Sequence, residues 1–217
     1  MAEPAPATEQ NEARRIGMLR AAAELICERG FGDTRIADVA KRAGVSSALV
    51  IYYFGTRDRL LVDALRYSEE SFYEAAEQML AEVPSLHERL SLLIKWTCVP
   101  EGNDEIPGAW GLWFDLWAQA FRHDEIKAGR VEADARWRKM IVDAIKSAEL
   151  DTKINARMFA LEFAALLDGL SIQVALDDPE VDSELAYDIA MHFAERELNL
   201  QPAKGRVNGK AKAARKG

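Results

Sequence analysis

All five tryptophans of the chain, Trp96, Trp110, Trp113, Trp117 and Trp137, fall between residues 96 and 137. Indole rings at helical spacing can supply packing area, or they can wall a pocket in which the ring quadrupoles hold a cation. Asp115 stands among them with the negative charge such a pocket would use. Aromatic stripes usually pack, so most of these rings are expected in a core, with some lining a cavity. Other reactive residue types lack the partners that chemistry needs. His87, His123 and His192 have no metal-ligand neighbours at helical or loop spacing, and Cys27 and Cys98 show neither CxxC nor Cys/His spacing. No nucleophile elbow, phosphate-binding loop or dinucleotide fingerprint occurs. The residue types therefore favour recognition over bond making, with no enzyme, metal or cofactor expected.

The charge distribution suggests what is recognised. The chain carries −8 overall, which alone argues against nucleic acid. Residues 12–60, however, hold nine Lys/Arg against six Asp/Glu, residues 61–200 hold 13 against 28, and residues 201–217 hold six basic residues and no acidic ones. A mildly basic N-terminal module on an acidic body is the pattern of a DNA reader with a separate regulatory domain.

The elements that must position these residues are helices, because nearly every hydrophobic period along the 217 residues is the helical one. Ile16, Leu19, Ala23 and Ile26 form a first stripe, closed by Gly30 as a left-handed terminator onto which Phe31 folds back. Ile36, Val39, Ala40 and Ala43 form a short second helix that Gly44 ends, and Ser46 caps a third. Leu49–Phe54, read alone, favours a strand. Its place one turn after a short amphipathic helix, before the Thr56 cap and with no partner strand nearby, predicts a helix instead. Leu60–Met79 continues a long fourth helix that Pro84 stops, and Ser85 with Glu88 forms a capping box for a fifth that Pro100 ends. Residues 100–108 read as an acidic loop. Further helices are expected over Trp110–Phe121, Ile126–Ala148, Ile154–Leu176 and Leu185–Leu198, giving an all-α chain of about nine helices. The most apolar segment, Met158–Leu176, contains Glu162 and Asp168 and reads as buried protein, not a membrane span. The stretch 1–11 has no apolar run and reads as a disordered leader, and the basic tail 201–217 has nothing to bury.

Residues Arg14 to Leu61 resemble the tetracycline-repressor (TetR) family through AAAELICERGF, TRIADVAKRAGVS and YYFGTRDRLL in this order. The resemblance implies a helix-turn-helix in which Ser47, Ala48 and Tyr52 meet base edges with Tyr53 beside them. It also implies that Arg35, Ser46, Thr56 and Arg57 grip phosphates at the starts of three helices. Helix N-termini suit that role, because their unpaired N–H groups and positive dipole end attract anions. Ile51 stands where many members carry tyrosine, a pattern similar to the choline-responsive BetI-like branch.

The expected organisation is a DNA-binding domain over 12–60 and a ligand-binding and dimerisation domain over 61–200, in a cytoplasmic bacterial repressor. Its partners would be a double-stranded operator, a second copy joined through the last two helices, and a small effector. That effector would be largely apolar or aromatic, with cations among the candidates, and bordered by some of Trp96, Trp110, Trp113, Trp117, Phe159 and Phe163. The competing reading is a helical interaction or ligand-binding protein without specific DNA recognition. A mobility-shift assay on the upstream region of its own gene separates the two.

Overall fold

The computed structural model describes residues 7–99, 110–148 and 154–201. These form α1 (Ala7–Asp33), α2 (Ile36–Ala43), α3 (Ser47–Phe54), α4 (Arg57–Glu82), α5 (Leu86–Cys98), α6 (Trp110–Ala120), α7 (Asp124–Lys146), α8 (Ala156–Ala175) and α9 (Ser183–Glu197), with no strand among the described residues.

Local sequence sets the boundaries. Gly30 adopts φ 82° and breaks α1 three residues before its end, and Gly44 closes α2 at φ 68°; both conformations disfavour a Cβ. Ser46, Thr56, Ser85, Asn155 and Asp182 each accept a backbone N–H with the side chain at the start of α3, α4, α5, α8 and α9. Ser85 Oγ also donates to the Glu88 carboxylate at 2.6 Å. In α3 the strand-like run is helical: Val50 and Phe54, four apart, are buried, while Ser47, Ala48, Ile51 and Tyr52 face outward.

Two cores result. The first joins Met18, Leu25, Val39, Val50 and Phe54 to Leu60, Leu61 and Leu65 of α4, and takes in Leu116 of α6 and Ile126 of α7. The N-terminal module therefore does not end at residue 60, because α4 supplies its floor as far as Leu65 and two helices of the larger body seal its side. The second core packs α4, α5, α7, α8 and α9 around Leu90, Ile94, Ile141, Phe163 and Leu167. By length and composition α8 could cross a membrane, but Phe159, Phe163, Leu167 and Leu170 are buried within this core.

One expectation about the ends needs revision. Residues 7–11, assigned to a disordered leader, are the first turns of α1, and Asn11 accepts a hydrogen bond from the Tyr53 hydroxyl at 3.3 Å. Residues 1–6, the acidic loop 100–108 and all of the basic tail beyond Gln201 lie outside the described residues.

Candidate DNA-reading face and effector cavity

The face that α2 and α3 present is built by burial on its opposite side. With Val50 and Phe54 locked into the first core, Ser47, Ala48 and Tyr52 emerge together, Tyr52 at 81% exposure. Tyr53 behaves differently. It is half-buried against the first core, sets its ring edge-on to Tyr52 at 5.6 Å and directs its hydroxyl at Asn11. Ser46 Oγ accepts from Leu49 N and Thr56 Oγ1 from Arg59 N, each at 3.2 Å, so each hydroxyl fixes its helix start while remaining exposed. Arg35, at the N-cap of α2, is exposed and makes no side-chain cap.

Arg57 is the departure from the expected phosphate grip. Its Nε donates to Thr34 O at 2.7 Å, Nη2 to Gly32 O at 2.8 Å and to Phe31 O, and Nη1 to Asp58 at 2.8 Å, with the guanidinium over the Phe31 ring. A cation on the last carbonyls of α1 neutralises the negative end of that helix. Arg57 thus ties the start of α4 to the end of α1, while Arg59 is exposed and has no side-chain partner among the described residues. Arg42 is likewise engaged, by Glu24 and Glu28 at 3.2 and 2.8 Å.

The same turn is held from the body. Because Gly30 leaves the helix, the N–H of Phe31 points away from α1, and Asp115 Oδ2 accepts it at 2.9 Å. A Cβ on Gly30 would stand 3.6 Å from that oxygen. Asp115, considered from sequence as a charge for an aromatic cage, instead links α6 to α1.

The other side of α6 lines a cavity of about 290 Å³. Phe72 and Tyr73 of α4, Trp96 and Thr97 of α5, Trp113, Phe114 and Trp117 of α6, Arg130, Asp134, Trp137 and Arg138 of α7, and Leu161, Ala164, Ala165, Asp168 and Ser171 of α8 form its wall. Phe72 is the hub, edge-on to Trp113 at 5.3 Å and to Trp96 at 6.2 Å, and tilted against Trp137 at 6.4 Å. Tyr73 donates to Ala133 O at 2.8 Å, pinning α4 to α7. Of the residues expected at an effector site, Trp96, Trp113 and Trp117 come together here. The side chain of Trp110 lies outside the described residues. Phe159 and Phe163 are not in the wall; they stack on each other at 5.2 Å and on Phe193 in the second core. An apolar helix offers the same pattern to a core as to a pocket, so sequence could not separate them.

The charges in the wall were invisible in the sequence. Arg130 donates to Glu69 at 2.6 Å and to Asp134, and lies 5.2 Å from the centre of the Trp113 ring. Burial pushes the Glu69 carboxyl up to about 7 despite Arg130. Desolvation within the wall also raises the Asp168 carboxyl above its ordinary range, although the residue still reaches solvent, and Arg130 and Arg138 oppose the rise. The signal on α7, Arg130, Asp134 and Arg138 at four-residue spacing, reads equally as a solvated helix face, and Glu69 and Asp168 stand on other helices. Cys98 is inert, its thiol pushed up to about 11 by burial. No group of three His, Cys, Asp or Glu among the described residues could hold a metal.

Known proteins share both parts. Residues 18–64 match the tetR family of bacterial regulatory proteins, and residues 86–199 match the C-terminal domain of BetI-type transcriptional repressors. The transcriptional regulator BetI of Brucella canis is 26% identical over 200 residues, covering 91% of this chain and 98% of that protein. BetI of Escherichia coli is 28% identical over 191 residues, covering 85% and 94%. A transcriptional regulator from Saccharomonospora viridis, solved in complex with choline, superposes with a TM-score of 0.74 at 26% identity, covering 86% of this chain and 97% of that one.

Proposed function

This chain belongs to the TetR family of bacterial transcriptional regulators, its larger domain of the BetI repressor type, and from that premise we propose a homodimeric repressor released from its operator by a small cationic effector. A regulator of this family is not an enzyme. The effector is selected, not transformed.

The observation that carries the effector reading is the cavity: aromatic faces around Phe72, with Asp134 and Asp168 in the wall balanced by Arg130 and Arg138. The ring quadrupoles favour a cation, and the small volume limits the guest to a compact one. The Saccharomonospora viridis regulator binds choline, which makes choline the first molecule to try. On the DNA side, Ser47 and Tyr52 offer hydroxyls to base edges and Ala48 offers its methyl to a thymine. The starts of α2, α3 and α4, with Arg35, Ser46 and Thr56, receive phosphates, and Arg59 joins them in place of Arg57.

Dimerisation explains an otherwise costly surface. Met158, Ile172 and Leu176 of α8 form one exposed stripe, and Leu185 and Ile189 of α9 are exposed as well. A second copy packed α8 and α9 against α8 and α9 covers it and sets two recognition helices on one face of a near-palindrome. Such a repressor acts where the chromosome is, in the cytoplasm.

Control is linkage between two conformers: the effector must bind the DNA-incompetent one more tightly. α6 is placed to connect the sites, since Trp113 and Trp117 line the cavity and Asp115 holds the end of α1. The test is a mobility-shift titration of the gene's own upstream region. Protein should retard it, choline should release it, and retardation of every duplex alike would contradict the proposal.

A further inference from the structure

The four charged residues of the cavity wall, Asp134, Asp168, Arg130 and Arg138, are not engaged alike. Arg130 is held within the protein: its terminal nitrogens donate to Glu69 and to Asp134, and its guanidinium lies over the Trp113 ring. Asp134 is thereby committed as well. Asp168 of α8 and Arg138 of α7 remain. Among the described residues neither side chain makes a hydrogen bond or an ion pair, although each lies within electrostatic reach of the other. Both reach solvent, Arg138 half-buried and Asp168 exposed, so a guest in the cavity can approach them.

One carboxylate and one guanidinium that do not pair with each other decide what fits between them. A guest that fills the cavity displaces water from both groups. A bare cation suits Asp168 and the aromatic faces, but it leaves Arg138 dehydrated and sets a like charge near it, which weakens binding. A guest with a carboxylate at its other end gives the guanidinium the planar, bidentate partner it prefers. Such a guest also adds no net charge to a wall whose charges already balance.

We propose that the cavity takes a compact zwitterion, an alkylated ammonium joined by a short link to a carboxylate, with the cationic head against the rings and Asp168 and the carboxylate on Arg138. The inference rests on the reading of the cavity as a site for a cationic group. Arg138 then sets specificity, separating a zwitterion from a cation of equal size.

The experiment compares trimethylammonioacetate with its carboxamide, which has the same shape and no negative charge, by calorimetric titration of the full chain, with tetramethylammonium as a bare cation. Wild type is expected to bind the zwitterion about tenfold more tightly than the amide, the worth of one charge-assisted hydrogen bond. Arg138→Gln should bring that ratio close to one while tetramethylammonium binds at least as well, because a repelling charge has gone. Arg138→Met, which keeps the packing of the aliphatic stem, should do the same if the glutamine variant fails to fold. A wild-type zwitterion that binds no more tightly than its amide, with the cations bound, overturns the role of Arg138 and leaves the cation site standing, as does a preference that survives in a folded variant. Binding of none of the three compounds overturns both.

Discussion

Arg57 and Arg130 carry the same guanidinium, and their surroundings decide what each can do. Arg57 faces the carbonyls that end α1, so Arg57→Ala should lower thermal stability and leave the salt dependence of operator binding unchanged. Arg35→Ala and Arg59→Ala should each reduce the slope of log affinity against log salt by about one, the signature of a lost phosphate contact. Ser47→Ala and Tyr52→Ala should weaken the operator by about 1 kcal/mol each while sparing unrelated duplexes, as lost base contacts do. Equal salt slopes for Arg57→Ala and Arg59→Ala would reverse the assignment. The face of α3 was legible in the sequence because resemblance fixes positions along a short helix. The cavity's polar residues were not. Asp134 and Asp168 lie on two helices and Glu69, which holds Arg130 from behind, on a third, and nothing local to any one of them tells that the others are near.

At the scale of elements, α3 and α6 teach opposite lessons. The run Leu49–Phe54 favours a strand by local propensity, yet Ser46 caps it, Gly55 ends it, and burial of Val50 and Phe54 one turn apart makes a helix the only arrangement that serves the core. Context read from neighbouring signals was enough there. For α6 it was not: the tryptophans announced a cavity, but Asp115 turned out to face the N–H that the Gly30 break releases. That contact makes α6 a connector. Asp115→Ala should leave choline binding, followed by tryptophan fluorescence, largely intact while the choline needed for operator release rises severalfold. Asp115→Asn, whose amide oxygen can still accept from Phe31, should restore coupling. Loss of choline binding in the alanine variant, or unchanged release, would show that α6 only packs.

The whole molecule sets a mildly basic reading module on an acidic body, so DNA attracts one end and repels the other, orienting the approach without specifying sequence. Two such bodies joined through α8 and α9 would place the modules side by side. Replacing Leu185 and Ile189 together by glutamate should give a monomer by light scattering and abolish operator binding, because neither side chain is buried in the protomer's core. A variant that remains dimeric would place the interface elsewhere. The central claim, that one effector and one operator compete through two conformers, is tested most directly by reciprocal linkage. Choline affinity is measured for the protein alone and for the protein saturated with operator, and operator affinity with and without choline. The two ratios should be equal, each reporting weaker binding in the presence of the other ligand. Choline affinity that is the same with and without bound operator would contradict the account.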